Sequence, residues 1–267
     1  MLFSFKISYS AQQITGEVGV KTTLRICADP NNLPYSSQDT EGYENKIANL
    51  FAKKLGNIPV IYAWYPMTSG FVRRTLNAKT CDLIVTFPAI HEFVQNTNPF
   101  YNSSYVLMSL EEKDIKEKTL SDPIIKEKKY KIGIIHATPP SSYVAKYKLF
   151  GQVKFYRQAA DPRKQKPWVD ITNDLVDGKL DIAILWGPYA GYEAKKAKKP
   201  IRIVPLTKEE TVSRGKLVYR FTMGIRRNEP EWEKTINNLI KENQEEINKI
   251  LREYGVPLLD NLGNPLK

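Results

Sequence analysis

The sequence predicts an α/β fold of two lobes, each a mainly parallel sheet flanked by helices, with two hinge strands between them. Three observations predict it. A strand–helix–strand–helix–strand order runs over residues 24–87 and runs again over 130–186. The phrase "DGKLDIAILWGPYAGY" (177–192) repeats the rhythm of "NAKTCDLIVTFPAI" (77–90): a polar turn, an apolar burst and a break. Aligned so that Asp82 falls on Asp181, Leu76 meets Leu175, Leu83 meets Ile182 and Val85 meets Ile184. Finally, two extended apolar segments, "YVLMSLEEKDI" (105–115) and "KLVYRFTMGIRRNEPEW" (216–232), carry the chain between the units as candidate hinge strands. Alternating strands and helices imply parallel pairing through right-handed crossovers.

Each element has a local reason. "LRICA" (24–28) is a short apolar run bounded by the turn cluster "DPNNLP". The helix over 43–56 places Ile47, Leu50, Phe51 and Leu55 on one face and stops at Gly56. "VIYAWY" (60–65) is a second strand. "GFVRRTLNAK" is a shorter helix with Phe71, Val72, Thr75 and Leu76 inward, and "CDLIVTF" is the third strand. The second unit restarts at "YKIGIIHA" (130–137), closed by "TPPSS". It continues through a helix over 142–151, the strand "VKFYR", the helix "WVDITNDLVDG" and the strand "LDIAILW". A final amphipathic helix over 230–255 carries Trp232, Ile236, Leu239, Ile240, Ile247, Ile250 and Leu251 at helical spacing, with Pro230 in its first turn and Gly255 at its end. It is expected to pack back on the first lobe. The expected division is a flexible leader over 1–22, a first lobe of 23–109 with 207–267, and a second lobe of 110–206. The leader lacks the basic start and long apolar stretch of a signal peptide.

Composition narrows the function classes. The chain is 267 residues, 42% hydrophobic and 26% charged, which is globular in character. No apolar run reaches the roughly eighteen residues that span a bilayer. The net charge of +11 suits either an acidic partner or a lysine-rich solvated surface. The densest basic cluster, "EAKKAKKPIR" (193–202), follows an expected helix. No nucleic-acid signature with interleaved aromatics is present, and a monomer is expected. The two cysteines, Cys27 and Cys81, lie in no CxxC pair, and with two histidines a metal site is poorly supplied. Both cysteines sit beside strands expected to be neighbours, so they form a disulfide candidate; two buried thiols are the alternative. Simple parallel register would leave them several ångströms apart, so a bond needs a shift or a loop excursion.

In open α/β sheets the ligand crevice lies at the carboxyl ends of the strands. The loops there are "DPNNLPYSS", "FPAIHE", "ATPPSS" and "WGPYAG". They nominate Asp29, Asn31, Tyr35, Phe71, Pro88, His91, Phe93, Thr138, Ser141, Trp186 and Tyr189 as cleft residues. Aromatic walls with few charges fit an apolar or aromatic ligand, or a peptide segment of a partner. Catalytic signatures are missing: there is no GxSxG, HExxH, phosphate loop or GxGxxG. Asp29 and Glu92 are carboxylates at strand ends, where such groups more often cap turns. The reading is a non-catalytic binder with no metal and no cofactor.

Several stretches carry a resemblance. "NPFYNSSYVLMS" is similar to the hinge entry of type II periplasmic solute-binding proteins that serve amino-acid transporters. More narrowly, "LRICADPNNLPYSS", "GYENKIANLFAKKLG", "GFVRRTLNAKTCDLIV", "PFYNSSYV" and "LDIAILWGPYAGY" resemble the MxaJ/XoxJ family, over about 24–254. That family accompanies quinoprotein methanol dehydrogenases, in the XoxJ type the lanthanide-dependent enzyme and its cytochrome c. The resemblance implies the type II periplasmic-binding fold, a periplasmic address and an accessory or activating role. The alternative is the receptor of an ABC transporter for a small solute. Amino-acid binders of this fold usually place an arginine after the third strand to grip a carboxylate bidentately. Residues 90–94 contain none, and Arg73 and Arg74 read as solvated helix residues. A free standard amino acid is therefore not the expected ligand.

Overall fold

In the computed structural model, residues 21–89, 92–158, 165–210 and 212–266 are described. The expected leader lies outside them up to residue 20, as does His91. Chain order begins with β1 (Leu24–Ala28), the short hairpin β2 (Asn31–Asn32) and β3 (Ser36–Ser37), α1 (Tyr43–Lys54), β4 (Val60–Trp64), α2 (Phe71–Arg74) and β5 (Leu83–Pro88). The two-residue β6 (Gln95–Asn96) and the long β7 (Tyr101–Leu110) lead into the second unit. There α3 (Pro123–Glu127), β8 (Ile132–Ile135), α4 (Ser141–Lys146), β9 (Val153–Tyr156), α5 (Pro167–Val176), β10 (Ile182–Trp186), α6 (Gly187–Lys196) and β11 (Ile201–Pro205) follow. The chain returns through β12 (Val218–Ile225) and ends with α7 (Pro230–Glu242) and α8 (Gln244–Glu253).

The strands run in the order β4-β1-β5-β12-β7-β10-β8-β9. β1 pairs parallel with β4 and β5, and β8 pairs parallel with β10 and β9, as the repeated strand–helix units require. β7 joins the two parallel groups. Its first residues, Tyr101–Ser104, pair with β12, while Tyr105–Met108 pair with β10 and Val106–Leu110 with β11. The two expected hinge strands are thus hydrogen-bonded to each other, and β7 makes the network continuous. Each parallel group buries an apolar core on both faces. Ile26, Ile47, Phe51, Trp232, Ile236 and Leu251 fill one face of the first group. Cys27, Phe71, Leu76, Cys81 and Phe87 fill the other. Ile132, Ile134, Tyr143 and Ile182 cover one face of the second group, and Trp168, Ile171, Leu175 and Leu185 the opposite face.

Three details differ from expectation. The C-terminal helix is two helices, broken at Asn243 (φ −120°, ψ 21°). The Asn243 side chain donates to the Leu239 carbonyl at 2.8 Å, and Gln244 donates to the Phe100 carbonyl, also at 2.8 Å. Those bonds turn α8 while its apolar stripe stays on the first core. "WGPYAG" is not a loop: Gly187 starts α6 with Pro188 in its first turn, where the missing N–H has no helical partner to lose. "EAKK" therefore ends this helix instead of following it. The helix after β4 spans only Phe71–Arg74.

Cys27 and Cys81 are bonded, with Cα atoms 5.3 Å apart. Simple register does separate them, since Cys27 stands opposite Ile84. The excursion occurs just before β5, where Asp82 N–H donates to the Arg25 carbonyl at 2.8 Å. The buried Asp82 carboxylate then takes Arg25 at 2.6 and 2.8 Å and Arg226 at 2.6 Å. Burial alone would raise Asp82, but those guanidinium hydrogen bonds outweigh it and hold it at about 2. Its counterpart Asp181 stands in the same position before β10, accepting from Lys113 and from the Lys131 N–H.

Candidate functional site

The carboxyl ends of the strands converge on one aromatic cavity of about 490 Å³. Its walls come from both parallel groups. Met67, Thr68 and Pro88 contribute from the ends of β4 and β5; Thr138, Trp168 and Tyr189 contribute from the second unit. The hinge strands supply the floor through Tyr105, Tyr219 and Phe221. Trp186, at the end of β10, stands opposite Tyr105 in the β7 register. Its ring lies 5.3 Å from Tyr105, 5.6 Å from Tyr219 and 5.6 Å from Phe221. Trp168 stacks on Tyr189 at 4.1 Å with an interplanar angle of 11°. Every described residue on this wall is uncharged.

The walls hold each other. Trp186 Nε1 donates to the Tyr35 hydroxyl at 2.6 Å, from the second unit to the first. The Tyr189 hydroxyl donates to Asn32 Oδ1 at 2.9 Å, and Lys166 Nζ donates to Asn31 Oδ1 at 3.0 Å. Burial pushes the phenols of Tyr35 and Tyr189 above their usual range, so both stay protonated and fit these bonds. The β2–β3 hairpin that carries Asn31 and Asn32 is fixed from behind by Asp29. One carboxylate oxygen accepts the Asn31 N–H at 2.8 Å and the other the Met67 N–H at 2.6 Å. Asp29 is therefore a brace between two cavity loops, and both its oxygens are engaged by backbone.

The nominated residues divide accordingly. Pro88, Thr138, Trp186 and Tyr189 line the cavity. Tyr35, Asn31 and Asp29 support its wall through the bonds above. Ser141 turns inward, its hydroxyl directed at the Ile135 carbonyl that also takes Thr138. Phe71 is 3% exposed in the small core beside the disulfide, and Phe93 is 61% exposed. Both line a neighbouring cavity instead. Glu92 offers its backbone carbonyl to Arg227. Trp168, Tyr105, Tyr219 and Phe221 escaped the sequence reading. The one signal for the last two was their alternation in "VYRF", which puts both rings on one strand face.

Residues 24–257 match the bacterial extracellular solute-binding proteins, family 3. The chain belongs to this family. Its relatives narrow the likeness within family 3. Over 252 residues it is 27% identical to Protein MoxJ of Methylorubrum extorquens, covering 89% of this chain and 82% of that protein. The crystal structure of periplasmic binding protein XoxJ from Methylobacterium extorquens AM1 is 37% identical, with TM-score 0.73, covering 89% of this chain and all 100% of that one. MxaJ from Methlophaga aminisulfidivorans MPT, 23% identical, shares the fold at TM-score 0.73, covering 88% and 100% of the two chains. The mixed sheet with flanking helices is thus the type II periplasmic-binding arrangement expected of family 3. Among the described residues, no helix is long and apolar enough to cross a membrane.

Proposed function

We propose that this family-3 protein is a non-catalytic periplasmic accessory partner of a quinoprotein methanol dehydrogenase and its cytochrome c, and that its aromatic cleft grips protein. Residues 23–109 with 207–267 form one lobe of that clamp and 110–206 the other. The observation that carries the reading is the cavity wall: aromatic, uncharged among the described residues, and closed by hydrogen bonds between its own two sides. A free amino acid brings an ammonium and a carboxylate, and burying either without a partner is costly. Among the described residues, the aromatic wall offers neither a guanidinium fork nor a carboxylate. The likeness to MoxJ and XoxJ supports the choice of partner, and the net charge of +11 suits docking to an acidic protein face.

The competing reading is a transporter receptor for a small solute, which the cavity's size permits. Affinity capture from the periplasm of methanol-grown cells separates the two. The dehydrogenase or its cytochrome is expected in the eluate; recovery of a membrane permease alone ends the accessory reading. Calorimetric titration with the standard amino acids is expected to show no binding.

A further inference from the structure

A second cavity of about 620 Å³ adjoins the first, and the two share Met67 and Thr68. It lies over the side of the first parallel group that holds the disulfide. Phe71, Phe87 and Phe93 form its apolar wall, and Arg73 and Asn77 form its polar edge. Phe93 stands 61% exposed and Met67 36% exposed, and both line this concave surface. Apolar side chains exposed along a concave surface fit an apolar occupant. Across both cavities, Arg73 is the single charged lining side chain among the described residues, and it makes no ion pair among them.

Two properties of the occupant follow. Each cavity alone has the volume of a small-molecule site, so a solute seated in one leaves the other open to water. An occupant that covers both must be long and must pass Met67 and Thr68. An extended peptide does this, advancing about 3.3 Å per residue. Its charge is set by Arg73: a carboxylate there gains a charge-assisted hydrogen bond, whereas a lysine meets a like charge. We propose that the two cavities form one groove for an extended, acidic, aromatic-bearing segment of a partner protein, with one aromatic side chain under Trp168 and Trp186, a second against Phe93, and a carboxylate at Arg73. This deepens the accessory reading and rests on it for the existence of a protein partner.

The test uses the full chain and three synthetic twelve-residue peptides in calorimetry. The first carries two Phe in an Asp-, Ser- and Gly-containing background, with the Phe spacing varied from two to five residues. The second has Lys for every Asp, and the third has Ser for both Phe. The acidic Phe peptide is expected to bind. The other two are expected to bind at least about tenfold more weakly, a difference of about 1.4 kcal/mol. Phe93→Ser should weaken the acidic peptide about tenfold, and Arg73→Glu should reverse the preference toward the lysine peptide. Both side chains are exposed, and circular dichroism checks that the variants fold. Equal binding of the lysine peptide, no effect of either variant, or no binding of any peptide overturns the groove. Affinity capture tells the two readings apart. Unchanged capture of the dehydrogenase by both variants leaves the accessory reading standing without the groove. Peptide binding as expected with no dehydrogenase or cytochrome captured leaves the groove standing without that partner.

Discussion

Glu44 lies in the first turn of α1, 3% exposed, with one carboxylate oxygen lacking a hydrogen-bond partner. Around it stand Tyr43, Tyr101, Asp29 and the hydroxyls of Thr86 and Ser36, with Asn45 beside it on the same turn. Burial pushes Glu44 up to about 7, against the opposing pull of the Thr86 and Ser36 hydroxyls. The sign follows from the raised value. Between about pH 4.5 and 7 the folded chain holds a proton that the unfolded chain has released, so stability falls as pH rises. The full loss is about 3 kcal/mol once the folded group ionises. Glu44→Gln keeps the shape and removes the charge. Urea unfolding is expected to show the variant about 2–3 kcal/mol more stable than the parent at pH 8 and within about 1 kcal/mol of it at pH 5. Equal destabilisation at both values would mean that the carboxylate is bonded in its charged form.

At the scale of elements, β1 and β5 are held by pairing, by the Asp82 ion pairs and by the disulfide across 54 residues of chain. In the chain-entropy account a closed loop of that length contributes about 4 kcal/mol by restricting the unfolded state. Reductant is therefore expected to lower the urea midpoint markedly, and Cys27→Ala with Cys81→Ala to reproduce the shift without reductant. An unchanged midpoint would show the pairing and the ion pairs to be sufficient. The strands themselves were legible in the sequence, because short β-branched runs between turn clusters leave little else for the chain to do. Asp82 and Asp181 were legible as strand starts for the same reason. The break at Asn243 was not legible. Apolar spacing continues from Ile240 to Ile247, and the bond that bends the chain goes to Phe100, far away in sequence. The cavity floor was hidden in the same way. Tyr105 and Tyr219 sit in strands whose apolar faces read as core, and only the strand pairing places them beneath Trp186.

For the molecule as a whole, the question is whether the two units need a ligand to come together. On the cleft side, Tyr35 with Trp186 and Asn32 with Tyr189 already bridge them. On the far side, α6 of the second unit lies against the end of α8. Lys195 Nζ donates to the carbonyls of Arg252 at 2.9 Å and Glu253 at 2.8 Å, completing the open C-terminus of α8. Tyr192 stacks on Tyr254 with ring centroids 6.2 Å apart. Between these contacts the backbones of Gly191 and Gly255 touch. A Cβ on Gly191 would stand 1.7 Å from the Gly255 carbonyl oxygen, and Gly255 itself has φ +74°, where a side chain is strained. The joint is made of backbone, so no side-chain rotation relieves an added methyl. If these contacts alone close the cleft, X-ray scattering from the parent protein should give the same radius of gyration with and without an amino-acid mixture. Gly191→Ala should increase it, because α6 must move away from α8 and draw the second unit with it. A parent that contracts on adding amino acids would instead behave as a ligand-gated receptor, and the contacts at Gly191 and Trp186 would then be features of its closed state only.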